Sequence, residues 1–366
     1  MRTTETMRIL LPYFTRNNIE ITDSVVIGGV ERFAQLIYQN FDDVIPVHFT
    51  DEDRKKRRVT DKITAAIDTY SPDVVIVNYD NAPLTTRLQA RTNTPILWIS
   101  HTAAGGISKI GHMQQMHEFQ EKGGVVAFVS QHQHLGMDKL SQRIEGKPLP
   151  IVDFINSAFC SGDEKVLEKT YDAVTIGRTD KTKNPFWMPK KLDGSGLHNI
   201  VLTSHVSELL YGEHLKYYED NTKWERPNEV LRNLPYDQVM TYMAQAGCYV
   251  STCPVETWGI TALEALAHGL PTILVTNTTD SHASEQIPVI NKDIIKVRST
   301  IKGEDLAEIV RSLNKLTFAD RQNISERTKA KHSLYAWKKN IEKVLTKTIE
   351  CVIIDNNDEA SLSSFF

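Results

Sequence analysis

The stretch CYVSTCPVETWGITALEALAHGLPTILVT, residues 248–276, predicts a strand, a loop, a helix and a second strand in that order. CYVSTC and PTILVT are short runs rich in β-branched and other apolar residues, as strands buried within a sheet are. GITALEALAHG between them carries apolar residues at helical spacing, and Gly269 is suited to end the helix because glycine readily adopts the left-handed conformation. Units of this kind build parallel sheets that are covered by helices.

The same alternation of strands and helices continues through most of the chain. The strand-like runs are RILLPYF, VIPVHF, DVVIVNY, PILWIS and VVAFVS, followed by AVTIG, NIVLTS, CYVSTC, PTILVT and DIIKV. Ten strands are too many for one such sheet in 366 residues, and the polar segment 156–172 divides them into two sets of five. We therefore predict an α/β fold of two Rossmann-like domains, residues 1–165 and 170–330, with a ligand cleft between them.

The segment KAKHSLYAWKKNIEKVLTK, residues 329–347, predicts a further amphipathic helix. Its apolar stripe consists of Leu334, Trp337, Ile341, Val344 and Leu345. We expect this helix, over residues 331–350, to cross back onto the first domain and to bury the stripe there. The acidic, polar stretch DNNDEAS begins at residue 355, and residues 351–366 are expected to form a flexible tail.

Composition excludes several classes of protein. Hydrophobic residues at 40% and charged residues at 24% are typical of a globular chain, and the net charge of −4 argues against a generally basic nucleic-acid binder. No apolar run approaches the roughly 18 residues of a membrane span, and the opening residues do not resemble a secretory signal. The four cysteines have neither zinc-site nor paired spacing, so we expect reduced thiols in a cytoplasm.

Two loops carry residue types that suit a phosphorylated ligand. Gly28 and Gly29 precede an amphipathic helix, where backbone amides can approach an anion or a sugar; a tight turn with positive φ is the alternative. The spacing is not that of a nicotinamide-dinucleotide fingerprint. Arg178 and Lys183 directly follow an apolar strand and can both face one diphosphate, although solvated loop charges would look the same.

Residues 248–276 also contain two carboxylates in apolar surroundings. Glu256 precedes the helix and Glu264 lies on its apolar stripe, where a carboxylate is costly unless a donor hydrogen-bonds to it. Ligand hydroxyls would satisfy both groups; a loop cap and a half-exposed glutamate are the alternatives. The helix start at Gly259, Ile260 and Thr261 offers backbone amides and a positive dipole end to a phosphate.

These motifs occur together in an order that resembles glycosyltransferase family 4. They are the glycine pair after the first strand, a histidine after a mid-domain strand, the G-R-x4-K sequence opening the second domain, and the block P-x-E-T-W-G-I-T-x-L-E-A-L-A-x-G-x-P. The family consists of retaining, nucleotide-sugar-dependent enzymes of the GT-B fold. The resemblance therefore implies a glycosyltransferase, with a UDP-sugar as co-substrate and glucose as the default sugar.

The resemblance also implies roles for individual residues in the second domain. Glu264 would bind the ribose hydroxyls and Glu256 the hydroxyls of the donor sugar, while Arg178 and Lys183 would hold the diphosphate. Residues 233–236 are candidates for holding the base. No carboxylate pair lies where a manganese ion would be needed, since the acidic runs 42–43 and 51–53 are interpreted as solvated turn charges, so no metal or other cofactor is expected.

The resemblance assigns residues of the first domain as well. His101 in PILWISHTAAGG would lie beside the donor sugar and the incoming acceptor, although an isolated histidine there would more often be an ordinary loop residue. Gly28 and Gly29 would let the first domain approach the diphosphate. The catalytic set implied in this way is His101, Glu256, Arg178 and Lys183.

Two stretches point to a DNA acceptor in an infected host cytoplasm. AVTIGRTDKTKNPF and IVDFINSAF are similar to phage DNA α-glucosyltransferases, which modify 5-hydroxymethylcytosine. Residues 361–366, SLSSFF, resemble the sliding-clamp peptides of phage replication proteins, with Leu362, Phe365 and Phe366 as the binding residues; a frayed terminus is the alternative. The basic run 54–58 could be a solvated loop, a membrane contact or a contact to a phosphate backbone.

Three functions stay open at this point. The favoured one is sugar transfer to hydroxymethylated DNA. The second is the same donor chemistry with a glycan, lipid or cell-wall acceptor, for which a basic or apolar membrane-facing patch on the first domain would be diagnostic. The third is a nucleotide-sugar-binding protein without turnover, against which the presence of Arg178, Lys183, Glu256 and Glu264 argues.

Overall fold

The structure, a computed structural model, divides into two compact units. It describes residues 7–14, 21, 29–55, 58–78, 82–101, 110–149, 153–180, 183–204, 229–254, 256, 258–277, 283–287 and 290–363. The first unit is Met1–Ser157 together with Tyr335–Phe366, and the second is Ala158–Leu334. The α/β fold with two parallel sheets that the sequence predicts is confirmed.

The first unit is built on a parallel sheet with the strand order β2-β1-β3-β4-β5-β6. Its strands are β1 (Ile9–Phe14), β2 (Val44–Phe49), β3 (Val74–Val77), β4 (Ile96–Ser100), β5 (Val125–Phe128) and β6 (Asp153–Phe154). The central strands β3, β4 and β5 are buried along their whole length. Continuous apolar sequence is therefore needed there, because helices cover both faces of such a sheet.

Helices connect these strands and complete the core of the first unit. They are α1 (Gly29–Asn40), α2 (Asp51–Lys55), α3 (Val59–Tyr70), α4 (Ala82–Gln89), α5 (Ile110–Glu121) and α6 (Gln131–Glu145). α6 shows how local sequence sets a boundary: Ser130 Oγ accepts a hydrogen bond from Gln133 N, and Gly146 ends the helix in the left-handed conformation. Trp98, Phe119 and Phe128 are fully buried in one apolar cluster of this unit.

The second unit repeats the plan with the strand order β12-β11-β10-β7-β8-β9, again parallel. Its strands are β7 (Tyr171–Arg178), β8 (Asn199–Ser204), β9 (Glu229–Arg232), β10 (Ala246–Ser251), β11 (Thr272–Thr276) and β12 (Ile294–Arg298). β6 and β9 are additional to the ten strands predicted from sequence. β6 has only two residues, and β9 is EVLR, in which charged ends hide the strand pattern.

The helices of the second unit include the one that the sequence places after the glutamate loop. They are α7 (Trp187–Lys191), α8 (Tyr236–Ala244), α9 (Ile260–Ala267), α10 (Gly303–Leu313) and α11 (Phe318–Lys331), with short 3-10 helices at Ala283–Gln286 and Asn291–Asp293. The chain leaves α9 through Gly269, which has the left-handed φ of +78° that the sequence predicts for the end of this helix. A Cβ at this position would collide with the carbonyl oxygen of Arg321. Glycine is therefore required both for the positive φ and for the close approach of this carbonyl.

The final helix, α12 (Leu334–Ser363), contributes to the first unit from Tyr335 onward. Trp337 packs edge-on against Phe33 at 6.1 Å between ring centroids, and its indole N–H donates to Asn156 O at 2.9 Å. Ile341, Val344 and Leu345 are buried as the predicted stripe requires. Helical backbone continues to Ser363, beyond residue 350, where the sequence predicts that a flexible tail begins. No helix of the described residues combines the length and apolar character needed to cross a membrane.

Candidate functional site

An ion pair joins two of the predicted site residues in the second unit. Lys183 Nζ donates a hydrogen bond to Glu256 Oε1, and both side chains are largely buried, at 27% and 21% exposure. Burial is the largest single effect and disfavours the ammonium ion, but the charge and hydrogen bond of Glu256, together with the effect of Cys253, raise the pKa of Lys183 above its ordinary value. Lys183 is therefore a permanent cation, held in place by a carboxylate from a different loop.

Asp180 fixes the loop that carries both predicted cations. Its Oδ1 accepts from Lys183 N at 2.8 Å, and its Oδ2 lies 3.2 Å from Arg178 Nε. Thr252 Oγ1 donates to Lys183 O at 2.6 Å and ties the same loop to the end of β10. Asp180 therefore contacts both predicted cations, Arg178 through its side chain and Lys183 through its backbone N–H. Sequence reasoning did not identify Asp180 or Thr252.

The start of α9 depends on Gly259. This residue has φ of +89°, in the region that only glycine adopts readily, and an added Cβ would collide with Ser284 Oγ. Ser284 is fully buried, and its hydroxyl donates to Trp258 O at 3.4 Å. The Ala283–Gln286 turn is thus packed directly beneath the point where α9 begins. As at any helix start, the first N–H groups of α9 have no carbonyl partner within the helix.

The second predicted carboxylate, Glu264, pairs with a tyrosine. The hydroxyl of Tyr236, the first residue of α8, donates to Glu264 Oε1 at 2.6 Å. The Tyr236 side chain is 41% exposed, whereas Glu264 is half-buried. The two glutamates of the decisive stretch therefore have different partners: Glu256 binds a cation and Glu264 binds a hydroxyl. Each is tolerated in its apolar surroundings because a donor meets it.

A separate polar cluster lies at the corresponding edge of the first unit. His101 follows β4 and Asn78 follows β3, and His101 Nε2 lies 2.6 Å from Asn78 Oδ1. Asn78 Nδ2 donates to Val30 O at 2.8 Å, in the first turn of α1, which begins at Gly29. The His101 ring also meets the Phe33 ring edge-on at 5.5 Å between centroids. The structure thus brings His101 and the start of α1 together through Asn78, which sequence reasoning did not identify.

Some predicted residues cannot be placed. Gly28, Phe365 and Phe366 lie outside the described residues, and only the backbone of Leu362 is described, within α12. Among the residues that the structure describes, no group of three or more His, Cys, Asp and Glu side chains could hold a metal ion.

The second unit matches a known family of enzymes. Residues 163–331 match the family of glycosyl transferases group 1, so the chain carries a group 1 glycosyltransferase domain. The match contains Arg178, Lys183, Glu256, Gly259 and Glu264. The glycosyltransferase class that the sequence predicts is confirmed. No curated protein matches the chain.

Solved structures of glycosyltransferases share the fold. HepE of Anabaena, solved in complex with UDP-glucose, is 12% identical with a TM-score of 0.65, covering 98% of this chain and 100% of its own. Sucrose-phosphate synthase of Thermosynechococcus elongatus is 14% identical with a TM-score of 0.64 and the same coverage. A glycosyltransferase of Rickettsia africae is 12% identical with a TM-score of 0.66, covering 94% of this chain and 99% of its own. These likenesses establish the GT-B fold.

Gly259→Ala is expected to destabilise the second unit more than the comparable substitution Gly162→Ala. Gly162 has a similar φ of +93°, but an added Cβ there meets nothing within 4 Å. Both variants carry backbone strain of about 1–2 kcal/mol, and only Gly259→Ala adds the collision with Ser284, for roughly 1–3 kcal/mol more. Urea denaturation of the two variants and the wild type measures the difference. Equal losses of stability would show that Ser284 does not constrain Gly259.

Proposed function

We propose that this chain, with its group 1 domain at residues 163–331, is a retaining glycosyltransferase that moves a sugar from a nucleoside diphosphate sugar to an acceptor hydroxyl. UDP-glucose is the default donor. The observation that carries the proposal is the pairing of Lys183 with Glu256 beside the start of α9. A cation and a helix start suit the diphosphate of a nucleotide sugar, and a hydrogen-bond acceptor suits its hydroxyls.

The positive groups of this site suit the departing diphosphate. Breaking the bond between the sugar C1 and the phosphate oxygen leaves negative charge on the diphosphate, and charge held in a preorganised site stabilises that charge most effectively. Arg178 at the end of β7 and Lys183 in the following loop supply two cations, and Asp180 contacts both residues. The pKa of Lys183 is raised by its pairing with Glu256, so this residue would meet the diphosphate as a cation. The amides at the start of α9 would add further donors.

The two glutamates suit hydroxyl groups on either side of the diphosphate. Glu256 pairs with Lys183, and a bound diphosphate would take over that role. Glu256 would then be able to accept hydrogen bonds from the donor sugar. Glu264 already accepts from one hydroxyl, that of Tyr236, and would exchange it for those of the ribose. Both carboxylates act here as binding groups, which favours front-face substitution with retention over a covalent glycosyl-enzyme.

In the first unit, we propose that His101 serves the sugar and the acceptor. Its position at the end of β4 beside the start of α1 supports this role, because ligands of open parallel sheets bind at the carboxyl ends of the strands.

Lys183→Ala is expected to lower kcat for sugar transfer by about 100- to 1,000-fold, since one stabilising group for the leaving diphosphate is lost. The matched control is Lys147→Ala, which removes an ion pair to Glu121 of 2.7 Å in the first unit. UDP release from UDP-glucose, with and without acceptor, measures the rate. Equal rates for the two variants would contradict the role of Lys183, and the absence of turnover by the wild type with every UDP-sugar would contradict the proposed activity.

As acceptor we propose 5-hydroxymethylcytosine in DNA. Support comes from the similarity of residues 151–159 and 173–186 to phage DNA α-glucosyltransferases. The second of these segments contains Arg178, Asp180 and Lys183, so the similarity includes the loop that the structure shows to be held by Asp180. Reaching the hydroxymethyl group requires access through the major groove or extrusion of the base.

Labelled UDP-glucose is expected to transfer its sugar to duplex DNA that contains 5-hydroxymethylcytosine, and not to matched duplexes that contain cytosine or 5-methylcytosine. The product should keep the α configuration of the donor, which the proton coupling at C1 reports in an NMR spectrum. A β product would contradict retention. Turnover that appears only with glycan or lipid acceptors would contradict the DNA acceptor and leave the donor chemistry standing.

We also propose that residues 361–366 bind a sliding clamp through Leu362, Phe365 and Phe366. Large apolar side chains in a polar, acidic segment are costly to expose, and a partner would cover them. Deleting residues 361–366 is expected to weaken binding to a purified phage clamp and to leave transfer to short oligonucleotides unchanged. Ser363→Ala serves as the control within the same segment. Unchanged clamp affinity after the deletion would overturn this assignment.

A further inference from the structure

Asn78 connects three elements of the first unit at one edge of its sheet. It follows β3, is only 3% exposed, and forms hydrogen bonds with side chain and backbone groups from two other elements. Its Oδ1 lies 2.6 Å from His101 Nε2, after β4, and its Nδ2 lies 2.8 Å from Val30 O, in α1. A buried amide that is satisfied on both sides has one orientation, because a flip would break both hydrogen bonds.

This orientation decides which nitrogen of His101 carries the proton. The carbonyl of Val30 can only accept, so the NH2 group of Asn78 must face it. The amide oxygen therefore faces His101, and an amide oxygen can only accept. Nε2 of His101 must then be the donor, which makes Nδ1 the basic nitrogen of the neutral ring.

An aromatic contact holds the same ring from another direction. The Phe33 ring meets the His101 ring at an interplanar angle of 66° and a centroid distance of 5.5 Å. Phe33 is itself fully buried and packs against Trp337 of α12. A hydrogen bond at one nitrogen and an edge-on contact to the ring together restrict both rotation about the side chain and tilt of the ring.

We propose that Asn78 is a positioning residue that sets the tautomer and the orientation of His101. The Nε2–H form is maintained by Asn78 Oδ1, and the link to Val30 O fixes the distance between His101 and the start of α1. The tautomer follows from the geometry alone. The consequence for rate rests on the proposed function, in which His101 serves the donor sugar and the acceptor.

The tautomer is tested on the full-length protein, in solution and without ligand. Nitrogen-15 NMR of protein labelled at histidine distinguishes Nε2–H from Nδ1–H rings, and the signals of His101 are those missing from His101→Gln. The expected spectrum shows Nε2 protonated in the wild type and a mixture of both tautomers in Asn78→Ala. An Nδ1–H ring or a mixture in the wild type would overturn the proposal, whatever the stability of the variants.

Kinetics test the consequence of this arrangement. Asn78→Ala is expected to lower kcat about 100-fold, as misplacement of a reacting group by about 1 Å does, with KM for the UDP-sugar unchanged. Asn78→Asp keeps an acceptor for Nε2 but loses the donor to Val30 O, so it should recover part of the loss. The matched control is Asn40→Ala, because Asn40 Nδ2 also donates to a carbonyl of α1, Leu36 O at 2.9 Å, but at the opposite end of the helix.

The outcomes separate this inference from the proposed function. One outcome is that His101→Gln is slow while Asn78→Ala and Asn40→Ala both turn over like the wild type. In that case the role of Asn78 fails and the proposed function stands. If His101→Gln itself turns over like the wild type, the role of His101 in the proposed function fails, and the kinetic part of this inference fails with it. Loss of kcat in Asn78→Ala with partial recovery in Asn78→Asp supports the inference.

Discussion

All strands of a parallel sheet end at the same edge, and this constraint produces both polar clusters of the molecule. In the second unit β7 and β10 are neighbours, so the loops that follow them bring Lys183 and Glu256 into contact. In the first unit β3 and β4 are neighbours, and the residues that follow them are Asn78 and His101. Residues far apart in sequence thus become partners without any long loop to join them.

The carboxylates of the second unit show how half-buried negative groups are stabilised within the chain. A half-buried carboxylate without a donor would cost free energy, and the chain supplies the donors itself: an ammonium group for Glu256 and a phenol for Glu264. A nucleotide sugar could replace both partners. The ammonium group of Lys183 also suits phosphate, and the hydroxyl of Tyr236 resembles the hydroxyls of a sugar. Binding would then exchange one set of hydrogen bonds for another, with the sugar hydroxyls donating to the carboxylate that gives up its ammonium partner.

Much of the architecture could be predicted from sequence, because buried parallel strands and their helices have strong patterns. The helix after Gly259, its end at Gly269 and the apolar stripe of α12 all have a local signature. Asp180, Tyr236, Ser284 and Asn78 have none. Each acts through a contact to a residue that only tertiary structure brings near, and in sequence Asp180 looks like any loop acid and Asn78 like any polar residue after a strand. The short strands β6 and β9 were not predicted because neither has a recognisable strand pattern. β6 has only two residues, and β9 has four with a charged residue at each end.

The contribution of α12 to the first unit has a consequence for the order in which the protein is made. Trp337 packs on Phe33, and its indole is bound to Asn156 O, yet the ribosome synthesises it after the whole of the second unit. The first unit therefore emerges without the residues that close its core, and its apolar surface beneath α12 stays uncovered while more than 170 further residues are translated. Domains generally fold in order from the N-terminus. Here the second unit, which is continuous in sequence, is able to finish folding first, and the first unit is completed only when translation is nearly over.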